Sequence, residues 1–177
     1  MTTAATTRRR SSLPAELPPE AVCALVDTRE QTPLCLEPLR TEPATLPEGD
    51  YSVKGSEHSI IVERKSLGDL VACCGGERER FVKEIHRLLS YSSRLLVVEA
   101  SWADLERGEW RGNINPNVVM GSLLSWQSQG LPVLLAGNHA AAGKAVARFL
   151  YLAAKHRYHE CRSLAAAIVN ADEADNG

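Results

Sequence analysis

The chain has 177 residues, of which 44% are hydrophobic and 24% charged, and its formal net charge is −2. That is the size and make-up of one globular domain, and it excludes extended disorder and collagen-like repeats. No stretch approaches the ~18 apolar residues of a membrane span, and a near-neutral total argues, on composition alone, against a strongly basic nucleic-acid binder.

Five cysteines, Cys23, Cys35, Cys73, Cys74 and Cys161, are scattered without a CxxC pair or zinc-ligand spacing. They are expected to be reduced thiols packed as small apolar residues, which suits a reducing, cytoplasmic setting. Residues 1–19, with Arg8, Arg9 and Arg10, have no apolar core of a secretory signal and read as a solvated, disordered tail. Residues 20–169 are expected to fold, and 170–177 to form an acidic tail with Asp172, Glu173 and Asp175.

In chain order, Ala21–Val26 is an apolar run that reads as a buried strand emerging at Asp27-Thr28-Arg29-Glu30. The stretch through Pro33, Pro38, Pro43 and Pro47 can hold neither a helix nor a central strand and is expected to be an ordered loop. Asp50–Lys54 and Ser59–Lys65, separated by Gly55-Ser56-Glu57-His58, predict a hairpin. Ser66 is placed to cap a short helix carrying Asp69, and Gly75-Gly76 ends it. Glu77–Ser90 predicts an amphipathic helix with Phe81, Ile85, Leu88 and Leu89 on one face. Arg94–Glu99 predicts a buried strand, and Trp102–Glu109 a short helix. Asn115 and Pro116 start a helix that Gly130 ends. Pro132–Ala136 is expected to be a final core strand. Asn138 caps a helix to about His156, and Ser163–Val169 is a last helical piece. Apolar strands alternating with helices predict an α/β protein with a mixed central sheet covered on both faces.

Acids gather where these apolar elements end: Asp27, Glu30, Asp50, Glu63 and Asp69. Strand alternation puts Glu63 and Lys65 on one side and Arg64 on the other. The hairpin can bring Asp50 beside Glu63, and two desolvated carboxylates so close call for a divalent cation; hard oxygen ligands suit Mg²⁺ or Mn²⁺. Such a cation lowers the pKa of a bound water and neutralises charge on a phosphoryl oxygen, while an ammonium beside it stabilises the transition state. Asp50-x12-Glu63-x-Lys65 therefore suits metal-assisted phosphodiester hydrolysis.

Gly49-Asp50 followed by Glu63-Arg64-Lys65-Ser66-Leu67-Gly68-Asp69 resembles the GD…ERKxxxD signature of the XPF-type structure-specific endonucleases, a branch of the PD-(D/E)xK, restriction-endonuclease-like superfamily. Val26–Glu30 resembles the family's VDxRE segment, and Leu95–Glu99 its following core strand. Arg80-Phe81-Val82-Lys83-Glu84 resembles its Arg-Leu-x-x-Gln helix motif, with Phe81 and Glu84 as departures. The likeness spans about residues 22 to 157. It implies a restriction-endonuclease-like α/β/α core. It also implies metal ligation by Asp27, Asp50 and Glu63, catalysis by these with Arg64, Lys65 and Asp69, and support from Glu30. Arg29 and Arg80 would meet the DNA backbone. A carboxylate only accepts hydrogen bonds, so Glu84 cannot take over a donor role of the usual Gln. The roughly twenty residues after His156 are too few for a tandem helix-hairpin-helix domain, so a freestanding nuclease domain of bacterial, phage or mobile-element type is expected.

Basic faces are expected on two helices: Arg80, Lys83 and Arg87 on one, and Lys144, Arg148 and Lys155 on the other, with Tyr151 among them. His139, His156 and His159 form no ligand set and read as surface residues. Trp102, Trp110 and Trp126 read as packing residues, with base stacking a second option for Trp110. The leading expectation is a Mg²⁺- or Mn²⁺-dependent DNA endonuclease, homodimeric through helices 116–129 and 139–157. It would act on branched, flapped or forked DNA in repair, recombination or mobile-element processing, with no membrane partner and no organic cofactor. The alternative is an inactive nuclease-fold scaffold or dimer partner. With the tails and five clustered acids set aside, the remaining charge is positive, so the location of the charges reverses what their sum suggested.

Overall fold

A computed structural model describes residues 14–175, with side chains described as far as 168; Arg8–Arg10 and the final Asn176-Gly177 lie outside the described residues. Six strands form one mixed sheet in the order β2-β1-β3-β4-β5-β6: β1 Cys23–Asp27, β2 Arg40–Ala44, β3 Tyr51–Val53, β4 Ile60–Lys65, β5 Ser93–Val98 and β6 Val133–Leu135. β3 runs antiparallel to β1 and β4, while β2, β5 and β6 are parallel to the strands they join. The expected α/β/α layering is observed.

Strand alternation divides the core in two. Leu25, Ile61, Leu96 and Val98 face α1 Leu67–Cys74, α2 Arg78–Leu88, α3 Trp102–Arg107 and α4 Pro116–Ser128. Ala24, Tyr51, Ile60, Val62, Leu95 and Val97 face α5 His139–Asp175, which contributes Ala142, Val146, Leu150 and Ala153. Each fully buried Leu or Ile stabilises the fold by about 1.5–3 kcal/mol, so β4 and β5, apolar on both faces, lie inside the sheet rather than at its edges. The helix starts are those the sequence marks. Ser66 Oγ accepts from Asp69 N–H at 3.2 Å, and the Asn115 and Asn138 side chains cap α4 and α5.

Three expectations are corrected. The proline-rich stretch is not all loop: Arg40–Ala44 pairs in parallel with β1 as an edge strand, where Pro43 can sit because one side of the strand needs no ladder. Val133–Leu135 is the opposite edge of the sheet and only partly buried, not a core strand. The two helical pieces expected after Asn138 are one helix, because no Gly or Pro lies between Lys144 and Asp175 to end it.

Of the five thiols, Cys23, Cys73 and Cys74 are buried as expected, but Cys35 and Cys161 are exposed. Residues 14–17 run along α5: Tyr158 Oη donates to Pro14 O at 2.6 Å and Tyr151 Oη to Leu17 O at 3.1 Å. No helix among the described residues is long and apolar enough to cross a membrane.

Candidate active site

The segment after β1, the residue before β3, the end of β4 and the start of α1 meet around an open, polar cavity of about 440 Å³ that includes Asp50, Glu63, Arg64, Lys65 and Asp69 in its lining. Asp50 is tied between two strands: its N–H donates to Val62 O at 2.9 Å, and its carbonyl accepts from Asp27 N–H at 2.8 Å. Its Oδ2 accepts from Arg64 N–H at 2.8 Å. The residue before it explains why glycine stands there. Gly49 has φ +66°, and a Cβ would lie 2.7 Å from Ile61 Cγ1 and 2.9 Å from Val62 O. Only glycine allows this turn this close to β4.

Glu63 and Lys65 share a side of β4, as alternation requires. The Lys65 ammonium donates to Glu63 Oε1, lies 3.9 Å from Glu84 Oε1 and sits 4.9 Å from the Phe81 ring centroid. Burial raises the Asp50 carboxyl to about 6, although the Arg64 N–H and the Lys65 charge pull the other way. Burial, with Asp50 and Glu84 alongside, holds Glu63 well above the usual carboxylate range. Burial alone would lower Lys65, but Glu63 and Glu84 outweigh it and keep the side chain an ammonium.

Among the described residues no three Asp, Glu, His or Cys side chains converge as a ready-made cation cage. The donor set nonetheless suits a small hard cation. Mg²⁺ commonly takes one or two carboxylates and completes its shell with water and phosphate oxygens. Asp50 Oδ1 has no protein donor among the described residues, and burial, the main cause of the raised proton affinity of both acids, disfavours their charged forms in a way a bound cation would offset.

Arg64 points to the other side of β4. Its Nε donates to Glu99 Oε1 at 2.8 Å, its Nη2 to Thr32 Oγ1 at 2.7 Å, and its Nη1 lies 3.6 Å from Glu30 Oε2. Burial opposes its charge, yet Glu99 and Glu30 keep the guanidinium above its usual range. The Glu99 oxygen also meets His139 Nδ1 at 2.7 Å.

Asp27 does not line the cavity. Its Oδ1 accepts from Arg29 N–H at 2.8 Å and Arg29 Nε at 2.6 Å, and its Oδ2 from Leu46 N–H at 2.7 Å and Arg29 Nη2 at 3.1 Å. Burial would raise this carboxyl, but these donors hold it below the usual range. Both oxygens thus accept from Arg29, and Oδ2 also from the Leu46 N–H ahead of β3. Asp69 lines the cavity while closing the α1 cap, its Oδ2 accepting from Ser66 Oγ at 2.7 Å.

The two expected basic faces lie in opposite layers, on α2 and on α5, and so do not form one surface. On α2, Arg80 pairs with Glu77 and Arg87 with Glu48, while Lys83 is exposed and has no ion pair among the described residues. On α5, Lys144 and Arg148 line a separate groove with Glu37 and Tyr151. The Trp110 indole N–H donates to Ile114 O at 3.1 Å, which commits that residue to its own loop. Sequence reasoning missed Thr32 and His139 as neighbours of the site, and it noted Glu84 only as a departure in the helix motif, not as a neighbour of Lys65.

A model of the ERCC4 domain matches residues 26–149. The fold and the site together define a nuclease-like α/β domain, and the chain belongs to the ERCC4 domain family. The solved structure of XPF from Aeropyrum pernix superimposes with a TM-score of 0.60 at 23% identity, over 73% of this chain and 60% of that one. The same protein in complex with DNA gives a TM-score of 0.61 at 24% identity, over 76% of this chain and 66% of that one. The chain thus spans less than two thirds of the length of these two solved chains. No curated protein matches it.

Proposed function

We propose that this chain is a metal-dependent DNA endonuclease that hydrolyses phosphodiester bonds in branched, flapped or forked DNA. The observation that carries this reading is the placing of Asp50, Glu63 and Lys65 around one open cavity. Asp50 and Glu63 would hold Mg²⁺ or Mn²⁺. The bound cation supplies a more acidic water and charge neutralisation at a phosphoryl oxygen. Asp50 Oδ1 faces no protein donor, so it is available, while Oδ2 stays on the Arg64 N–H and keeps the carboxylate oriented. Lys65, held protonated, offsets negative charge on the phosphoryl group and donates to the attacking or leaving oxygen. Arg64 has all three edges of its guanidinium occupied and braces Glu30 and Glu99 rather than reaching for phosphate. Attack by water on phosphorus forms a new P–O bond and breaks the bond to the 3′-oxygen, which leaves and takes up a proton, so the ends are a 5′-phosphate and a 3′-hydroxyl.

The likeness to an XPF solved with DNA supports a DNA substrate. A 5′-labelled flap, fork, Holliday junction and single strand, each with Mg²⁺ or Mn²⁺, test the reading. The native chain should cut a branched form, and Asp50→Ala and Lys65→Ala should abolish cutting. Equal cutting by these variants would refute the site. Dimerisation is proposed through α4 and the adjoining sheet edge, where Val118 is 47%, Leu124 55% and Leu134 38% exposed. Light scattering should then give about twice the 19.3 kDa of the chain.

A further inference from the structure

We propose that a second cavity, at the far end of the sheet, binds the terminal phosphate of a nucleotide: a nucleoside 5′-monophosphate, either free or as the 5′ end of a DNA strand. The choice of the 5′ end rests on the cleavage reading above, which leaves the phosphate there; the site itself does not. It concerns the end of a strand, not the path of a duplex.

Lys54 follows β3 where Asp50 precedes it, so this cavity lies at the opposite end of the strands from the candidate active site. It measures about 380 Å³, within the ~300–1,000 Å³ of small-ligand sites. Leu17, Val22, Val53 and Ala154 give it an apolar lining. Leu17 is held there, because Tyr151 Oη donates to Leu17 O at 3.1 Å and Tyr158 Oη to Pro14 O at 2.6 Å.

The charged lining has one sign. Arg40, Lys54 and Arg157 contribute to it, and no Asp or Glu does. Lys54 is shared with Glu42, whose Oε2 accepts from Nζ at 2.6 Å. Arg40 and Arg157 have no ion pair among the described residues. Like charges gathered in this way repel one another, and an anion between them relieves that. A phosphomonoester brings about −1.5 to −2 charges and three acceptor oxygens, whereas a phosphate inside a strand brings about one charge. Guanidinium forks take phosphate oxygens in pairs. The charge count thus favours a strand's end over its interior, and the apolar lining suits the sugar or base attached to that phosphate.

Fluorescence anisotropy on the full-length chain in EDTA tests this, using a short 3′-labelled single strand that ends in either a 5′-phosphate or a 5′-hydroxyl. The native chain should bind the phosphorylated strand about tenfold more tightly. Arg40→Gln/Arg157→Gln keeps polar side chains and removes the charge, and it should bind the two strands alike; its melting temperature is checked first. If that variant melts early, Arg40→Gln alone, at an exposed position, carries the test with a smaller loss of preference. Lys144→Gln/Arg148→Gln removes as much charge from the separate groove on α5 and should keep the preference. Thymidine 5′-monophosphate as competitor tells the two sources apart. Displacement of the phosphorylated strand shows that a free nucleotide suffices, and no displacement shows that the site reads a strand's end; the site stands in both cases. Equal binding of the two strands by the native chain would overturn the proposal. So would a preference that survives Arg40→Gln/Arg157→Gln, or one lost equally in Lys144→Gln/Arg148→Gln. No cutting occurs or is needed in EDTA, so failure of the cleavage reading is a separate result.

Discussion

Arg64 and Glu99 face each other across two parallel strands, with Nε 2.8 Å from Oε1, and both are nearly enclosed. Glu30 completes the guanidinium's setting, with its side chain 6% exposed. Removing Arg64 leaves two acids in a confined place without their counter-charge, a loss of about 3–5 kcal/mol. Arg64→Ala should therefore unfold at markedly lower urea in the absence of metal. Arg64→Lys keeps the charge but not the fork that reaches three partners, so it should recover only part of the stability. An unchanged urea midpoint for Arg64→Ala would show that the network contributes nothing to the fold.

Gly49 sets the position of Asp50. At φ +66°, with Ile61 Cγ1 2.7 Å from where a Cβ would stand, an alanine is strained by its conformation and also collides. The two effects together cost about 2–4 kcal/mol. Gly55 provides the control: its φ is +80°, but nothing lies within 4 Å of an added Cβ. Gly49→Ala should lose both stability and cleavage, whereas Gly55→Ala should lose about 1 kcal/mol and cut normally. Thermal melts and flap cleavage of the two variants decide this.

Much of this site was legible because it is local. The Glu63-Arg64-Lys65 alternation follows from the strand period, and the Ser66 and Asn115 caps from residue chemistry next to an apolar run. Edge strand β2 was hidden because Pro43 speaks against a ladder, and only the tertiary position reveals that one side needs none. Asp27 shows what the sequence leaves out: its place at a strand end is visible, but not that Arg29 and the Leu46 N–H take its oxygens as hydrogen-bond acceptors. The contacts of His139 with Glu99 and of Glu84 with Lys65 join different layers of the fold, and no sequence spacing encodes them.

The raised acids make the metal-free protein sensitive to base. Asp50 has a folded pKa of about 6, caused mainly by burial, against about 4 in an unfolded chain. Such a group favours the folded state fully below pH of about 4, and this advantage is lost as pH rises through its folded pKa. Glu63 acts in the same direction at higher pH. Asp27, held low, acts oppositely: its contribution is present above about pH 4 and lost as pH falls further. Without metal, stability should therefore peak in mildly acidic solution and decline toward neutrality, by up to about 3 kcal/mol from Asp50 alone. Asp50→Asn should flatten the decline. Mg²⁺ competes with protons for the same oxygens, so its stabilising effect should grow from pH 5 to pH 8 in melting curves.

DNA contact should fall on the α2 layer rather than on α5. α2 carries Phe81 and Glu84 to Lys65, so Lys83, exposed and free of ion pairs among the described residues, lies on the helix that borders the proposed site. Lys144 and Arg148 lie across the sheet in another groove. Each phosphate contact contributes about one unit to the slope of log affinity against log salt. Lys83→Ala should weaken binding to a Ca²⁺-held or catalytically silenced complex and lower that slope by about 1. The double variant Lys144→Ala/Arg148→Ala should leave it nearly unchanged. Fluorescence anisotropy with a labelled fork across a salt series measures both. If the α5 variant lowers the slope and Lys83→Ala does not, the duplex runs along the opposite layer of the sheet.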